Sequence, residues 1–285
     1  PTELSTTLDI SLLGASATFE APIIKEKLTS ISSFRYRDNS LFVNSKQIET
    51  NFNPKFLDFQ TYVSYEASKY VKVNFLGNFS INNYNYTPIS RRTRFGTIAA
   101  PLELNVFYNG QEQDNYLTLF GALSSEYKAT DFLTLTATAS RYNTQEEEHY
   151  DIAAAYRLGE VDTNIGSENF GNVVFSRGIG SQLNHARNNL DALIVTNEIK
   201  GNHKLNDDNT IEWSFKHNFE NIRDRVVEWE VIDSAGFSLP NPILDYQNDQ
   251  PYNPYVGPLS PYQNVRATNF TRINRLSGYF QWNRR

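Results

Sequence analysis

The sequence contains neither cysteine nor methionine. The missing cysteine removes disulfide frameworks, thiolate zinc sites and thiol nucleophiles, without fixing a compartment. A basic excess is also missing. The chain has 26 Lys and Arg against 32 Asp and Glu, a net charge of −6, the opposite sign to a nucleic-acid-binding footprint. No apolar run reaches the roughly 18 residues that a membrane-spanning helix needs. No basic stretch followed by an apolar segment opens the chain, which starts at Pro1. The 285 residues are therefore expected to be a processed or internal piece, with any export signal upstream. Hydrophobic residues make up 39%, below the roughly 45–50% of ordinary soluble domains. Aromatics nevertheless reach 14%, with 19 Phe and 17 Tyr.

What is abundant is alternation. Leu133, Leu135, Ala137 and Ala139 are interleaved with Thr134, Thr136, Thr138 and Ser140. Ile211, Trp213, Phe215 and Phe219 alternate with Glu212, Ser214, Lys216 and Asn218, while Val71, Val73, Phe75, Phe79 and Ile81 alternate with Lys72, Asn74, Asn78 and Ser80. Side chains change face at every residue of a strand, so each run has one apolar and one polar face. These runs last ten or more residues, against about 5–6 for a typical globular strand and about 9–11 for one that crosses a membrane.

The connections alternate in length. Short turns are predicted between Phe19 and Leu28, Tyr65 and Val71, Tyr127 and Leu133, and Leu205 and Ile211, with Asp, Asn, Ser or Pro supplying turn chemistry. Long loops are predicted from Asp38 to Pro54, Asn83 to Asp114, Asn143 to Asn188 and Ile222 to Asn269. Short connections on one end and long ones on the other characterise outer-membrane barrels, which close because no backbone polar group can face lipid unpaired. The expected fold is all-β: an antiparallel transmembrane β-barrel in the bacterial outer membrane. Tyr65, Tyr70, Tyr127, Phe132 and Trp282 suit its interfacial aromatic girdle. A soluble β-sandwich with elaborated loops, of the carbohydrate-binding kind, alternates in the same way and stays open as an alternative. About nine strands are predicted, near 8–20, 27–37, 55–66, 70–82, 115–127, 132–143, 190–202, 209–221 and 272–284. Such a set leaves two bare edges, so residues 1–285 are expected to form part of one larger barrel domain.

Catalytic patterns are scarce. His149, His185, His203 and His217 are scattered. Glu146-Glu147-Glu148-His149 reads as a solvated acidic loop, with a hard-cation contact as the alternative. Asn206-Asp207-Asp208-Asn209 reads as a hairpin turn rather than a calcium loop, and Gly178-Ile179-Gly180 lacks the third glycine of a dinucleotide site. No nucleophile elbow, zinc-protease motif or phosphate loop occurs, so neither enzyme activity nor a cofactor is expected. Two segments are candidates for ligand binding. Arg91, Arg92 and Arg94, near Tyr84 and Tyr86, offer guanidinium forks for an anionic solute or for lipopolysaccharide. Tyr252 and Tyr255, in the Pro- and Asn-rich stretch 245–262, offer stacking platforms for sugars or peptides; a solvated charged loop and a stiff packing loop are the plainer readings.

One segment carries a family likeness. Leu13-Gly14-Ala15-Ser16-Ala17-Thr18-Phe19-Glu20-Ala21-Pro22-Ile23-Ile24-Lys25-Glu26-Lys27-Leu28 resembles the early barrel hairpin of TonB-dependent receptors of the Bacteroidetes type, with Ala21 and Glu26 where that family usually has Gly and Asp. Ala155 to Glu160, Asp162 to Phe170 and Ala186-Arg187-Asn188 are similar to its long loops and strand starts. Glu228 to Gly236 resembles a loop of members carrying a carboxypeptidase-regulatory-like domain. The resemblance implies a middle part of a 22-stranded plugged barrel, without plug, TonB-contacting segment or closing strand. It implies TonB-energised uptake of a bulky solute such as a siderophore, cobalamin, glycan or peptide. The implied partners are outer-membrane lipid and lipopolysaccharide, TonB through the plug, and a surface lipoprotein or other outer-membrane subunits. A structural or accessory barrel subunit of a larger complex is the alternative.

Overall fold

Alternating sequence has one economical outcome, a ladder of extended strands. The computed structural model describes residues 1, 3–40, 43, 51–233, 247–248 and 263–284. They form one sheet of twelve strands. Ten lie side by side in the order β1 (Ser5–Ser11), β2 (Gly14–Ile24), β3 (Leu28–Asp38), β4 (Asn51–Glu66), β5 (Val71–Thr87), β7 (Ala100–Lys128), β8 (Leu133–Val161), β9 (Val173–Lys204), β10 (Asn209–Asp233) and β12 (Gln263–Arg284). The short β6 (Arg91–Thr97) pairs with β7, and the two-residue β11 (Gln247–Asn248) runs parallel to β9. Every other pairing is antiparallel. The sheet is open, with β1 and β12 at its edges.

All four predicted short turns are present and lie at one end of the sheet. Ser68 Oγ accepts from the backbone N–H groups of Tyr70 and Val71. Thr130 Oγ1 does the same for Phe132 and Leu133, and Asn206 Oδ1 for Asp208. Each short polar side chain thus takes over hydrogen bonds that the ladder cannot supply at a reversal. Lys27 N–H closes the fourth turn on Ile24 O at 3.0 Å.

Two expectations are corrected. The predicted strand 8–20 is a hairpin, β1 and β2 joined at Leu12-Leu13, and its apolar positions change parity there, from Leu8 and Ile10 to Ala15, Ala17 and Phe19. Most of the predicted long loops are strand. β7, β8, β9 and β10 continue far beyond the apolar runs, to 29, 29, 32 and 25 residues. At about 3.3 Å per residue, β9 is roughly 100 Å long. Where both faces are polar, as in Gln145-Glu146-Glu147-Glu148-His149, hydrophobic periodicity is silent while the backbone ladder continues; Leu102-Glu103-Leu104-Asn105-Val106 on β7 still alternates.

Cross-strand partners share a face, so the register sorts side chains unambiguously. One face carries Val63–Phe75–Leu123–Ala139–Asn197–His217–Leu276 as a single rank across β4 to β12. The rank below, towards the turns, is Tyr65–Val73–Ser125–Ala137–Ile199–Phe215–Gly278. Phe34, Phe59, Phe79 and Leu119 extend the same face upward. Trp213 lies over the small cross-strand partner Gly201, where an added Cβ would come within 2.2 Å of the indole. The opposite face over the same height is polar, as in Ser64–Asn74–Ser124–Thr138–Glu198–Lys216–Ser277.

The apolar face is bare. Leu123, Phe215 and Phe280 are 52%, 53% and 69% exposed, and extensive contacts join only sheet neighbours. Among the described residues the buried hydrophobic ones are Ala154, Ala155, Val161, Val173, Ala186 and Ala192, which make no layered core. Among the described residues no helix is long and apolar enough to cross a membrane.

Candidate functional site

The polar face above the apolar belt gathers carboxylates and aromatic rings. Two ranks of the ladder define it, Tyr84–Asp114–Glu148–Asn188 and Tyr86–Glu112–Tyr150–Ala186–Glu228. Tyr116 and Glu146 pair across the rank below, and Glu230 stands one step above on β10. Phe52 stacks on Tyr84 at 6.0 Å, and Tyr84 meets Tyr116 edge-on at 5.7 Å. Tyr116 donates to Glu148 Oε1 at 2.8 Å, and Asn188 to Glu228 Oε1 at 2.5 Å.

Six carboxylates share this face, and two of them, Glu112 and Asp114, are held above the usual carboxylate range. Among the described residues, no ion pair engages Glu112, Asp114, Glu146, Glu148, Glu228 or Glu230. Asp114 has a buried Oδ1 with no hydrogen-bond partner. Burial, followed by the charges of Glu112 and Glu148, pushes its carboxyl up to about 6, against the opposing pull of His149. Burial and Glu148 likewise raise Glu112, and burial with the surrounding carboxylates raises the Tyr150 phenol. Chemically this surface offers acceptors and ring faces. It is complementary to hydrogen-bond donors and positive charge.

The raised pKa has a consequence for stability. A folded-state pKa near 6, against the ordinary aspartate value of 3.8, means that the folded chain holds this proton more tightly than the unfolded one. The associated stabilisation is complete below the lower value and is lost as pH rises through about 6. Asp114→Asn is expected to flatten the pH dependence of unfolding between about pH 4 and 6. At neutral pH the same variant should gain about 1 kcal/mol, after discounting the two-unit shift for solvent screening. Urea midpoints across that range check both; a variant that parallels the parent contradicts the assignment.

The arginine candidates lie elsewhere. Arg91, Arg92 and Arg94 sit on β6, paired in register with Val106, Asn105 and Glu103 of β7, rather than in a loop. Arg94 Nε donates to Glu103 Oε2 at 2.7 Å, Arg92 Nε lies 3.6 Å from Glu103 Oε1, and Arg94 Nη2 reaches Gly171 O at 2.7 Å. Glu103 is only 3% exposed. Burial raises it, but hydrogen bonds from Asn105 and Arg94, with the charges of both arginines, outweigh that and hold its carboxyl low. Two of the three guanidiniums therefore brace the β6–β7 hairpin and the 162–172 connection. They lie on the face opposite Tyr84 and Tyr86, since Glu103 and Asp114 differ in strand parity. Tyr252 and Tyr255 lie outside the described residues.

Sequence reasoning missed the acidic–aromatic surface. Its signal was available as matching period-two patterns, Glu112-x-Asp114-x-Tyr116 and Glu146-x-Glu148-x-Tyr150. Only the pairing of β7 with β8 makes them neighbours. On the other face, β8 and β9 place Asp151 beside Arg187 and His185, with His185 stacked on Trp229 of β10 at 4.8 Å. Burial raises Asp151, but hydrogen bonds from Arg187 and His185 dominate and lower its carboxyl. Comparison of the chain with family models, curated proteins and solved structures found no match.

Proposed function

We propose that this sheet is an arc of the wall of a bacterial outer-membrane β-barrel of the TonB-dependent receptor type, working in energised uptake of a bulky solute. The observation that carries the reading is the exposed apolar face running across the sheet from β1 to β12, backed by a polar face. Left in water, a patch of that extent would drive aggregation. Against lipid it is matched, and the polar face then lines an aqueous lumen. A sandwich would need a second layer over the apolar face, and extensive contacts among the described strands join sheet neighbours only. Tyr65, Tyr70, Tyr127, Phe132 and Trp282, all 40% exposed or more at the short-turn end, suit a lipid–water boundary.

Two bare edges are untenable in hydrocarbon, where each unsatisfied backbone group costs several kcal/mol. The arc is therefore completed by further strands pairing with β1 and β12. The tall strands β7–β10 rise on the external side, and the surface around Asp114, Glu148 and Tyr150 faces the solute's path. Transport of this kind requires no bond chemistry from the wall. The resemblance of residues 13–28 to the receptor hairpin supports the TonB-linked form of the reading.

One observation favours a second reading. The expected capture loops are largely paired strand, which suits a rigid scaffold subunit in an outer-membrane assembly. Envelope fractionation with detergent extraction tests the membrane wall, and uptake by a deletion strain tests transport. The transporter reading expects a detergent-dependent protein and lost uptake of one solute class. Detergent dependence with unchanged uptake and fixed-ratio co-purification of other subunits favours the scaffold. Recovery as a soluble protein overturns both.

A further inference from the structure

On the lipid-side face, directly above the apolar belt, β10 and β12 present four arginines in adjacent ranks. The register runs Phe219–Asn274, Asn221–Arg272, Arg223–Phe270, Arg225–Thr268 and Val227–Arg266. Arg223, Arg225, Arg266 and Arg272 are all exposed, and among the described residues no ion pair engages any of them. From Trp213 to Trp229 the positions of β10 on this face hold no acidic residue, and neither do those of β12 from Asn264 to Trp282. The nearest acids on this face belong to β8 and β9. Asp151 is taken by Arg187 and His185, and Asp191 accepts from Asn143 at 3.2 Å although it stands opposite Arg223 in register; Glu147 completes the set.

We infer that this patch binds the phosphate-bearing headgroups of lipids in the leaflet on the tall-strand side. The inference rests on the membrane reading above and goes further, by assigning a ligand chemistry to the outside of the wall. Position argues for it. The patch begins where the apolar side chains end, with Phe270 and Phe219 still interleaved, so it sits at headgroup height. Geometry agrees. Arg223 lies over the Phe270 ring at 5.7 Å and Arg272 over Phe219 at 5.4 Å, arrangements that anchor a planar guanidinium and leave its edge free to fork a phosphate. A shallow depression of about 300 Å³ lies beside Arg223, Arg225 and Thr268, with Asp191 and Glu147 on its far wall, so a phosphate would be held at its arginine rim rather than within it. Unpaired arginines that serve neither an internal ion pair nor the lumen gain most from anionic lipid, whose surface attracts each basic residue by about fivefold in binding.

The test is the relative association of spin-labelled phosphatidylglycerol and phosphatidylcholine with the complete barrel, these residues together with the strands that close it, reconstituted in vesicles. The wild type is expected to prefer phosphatidylglycerol, and the variant R223Q/R225Q/R266Q/R272Q to lose at least about fivefold of that preference. Both should immobilise phosphatidylcholine equally. A wild type that immobilises no lipid sinks the membrane reading itself, whereas equal preference in parent and variant sinks only the headgroup site. Inorganic phosphate at matched ionic strength should leave the preference intact; if it abolishes the preference, the arginines take free phosphate and the headgroup assignment is wrong.

Discussion

Leu123→Arg is expected to cost about 2–4 kcal/mol of stability in a bilayer, while Ser124→Arg, one residue along β7, changes it by less than about 1 kcal/mol. Neighbouring residues on a strand face opposite ways. Leu123 stands between Phe75 and Ala139 on the exposed apolar face, and Ser124 between Asn74 and Thr138 on the polar one. In the proposed wall a guanidinium at 123 would enter hydrocarbon near mid-depth, where no partner or water meets it. At 124 it would enter the proposed lumen, with Glu198 two strands away. Urea unfolding from phosphatidylcholine vesicles, followed by the fluorescence of the three tryptophans, measures both. Equal costs would mean that the two faces meet the same medium.

Gly110→Ala should be the most damaging change above the belt, at about 2 kcal/mol or more. Gly110 has φ of 125°, and a Cβ built there would lie 1.9 Å from the carbonyl oxygen of Asp151 on β8. Neither contributor can relax cheaply. The conformation disfavours side chains, and the obstacle is backbone held in the ladder on both sides. Asn109→Ala, at an exposed position beside it, is expected to stay within about 0.5 kcal/mol. Hydrogen exchange over residues 102–116 and 145–161 reads the result: accelerated exchange in Gly110→Ala if these segments are paired strand, no difference from Asn109→Ala if they are loose loops.

The legible part of the fold is the part where chemistry differs between faces. The runs at 71–81, 133–139 and 211–219 declare their strands because burial or lipid sorts Val, Leu and Phe from Lys, Asn and Thr. Ser68, Thr130 and Asn206 declare their turns because a short polar side chain replaces ladder bonds locally. The middle of β8 is silent for the same reason reversed. In Gln145-Glu146-Glu147-Glu148-His149 both faces are polar, so nothing but the backbone ladder records extension. The hairpin at Leu12-Leu13 was concealed by continuous apolar alternation, although the parity shift between Ile10 and Ala15 marks it.

The candidate sites were less legible because they are made by register. Arg92 and Arg94 resemble free anion hooks in sequence, and only the pairing of β6 with β7 shows Glu103 occupying them. Asp114 and Glu148 are 34 residues apart (148 − 114) and become neighbours through one cross-strand pair. The four arginines of β10 and β12, which no ion pair engages among the described residues, straddle a 40-residue interval from Arg225 to Arg266 (266 − 225 − 1), with positions read directly from the sequence. Their common face appears only once the two strands are aligned.

Residues 1–285 contain no cysteine, so a single introduced cysteine labels this sheet at one place. Single cysteines placed in turn from Leu117 to Tyr127, spin-labelled in vesicles, report collision with oxygen dissolved in lipid and with a water-soluble nickel chelate. Labels at 117, 119, 121, 123, 125 and 127 should favour oxygen, and those at 118, 120, 122, 124 and 126 the chelate, in strict alternation. Chelate access at every position, or access that does not follow strand parity, would contradict a wall with lipid on one side and water on the other.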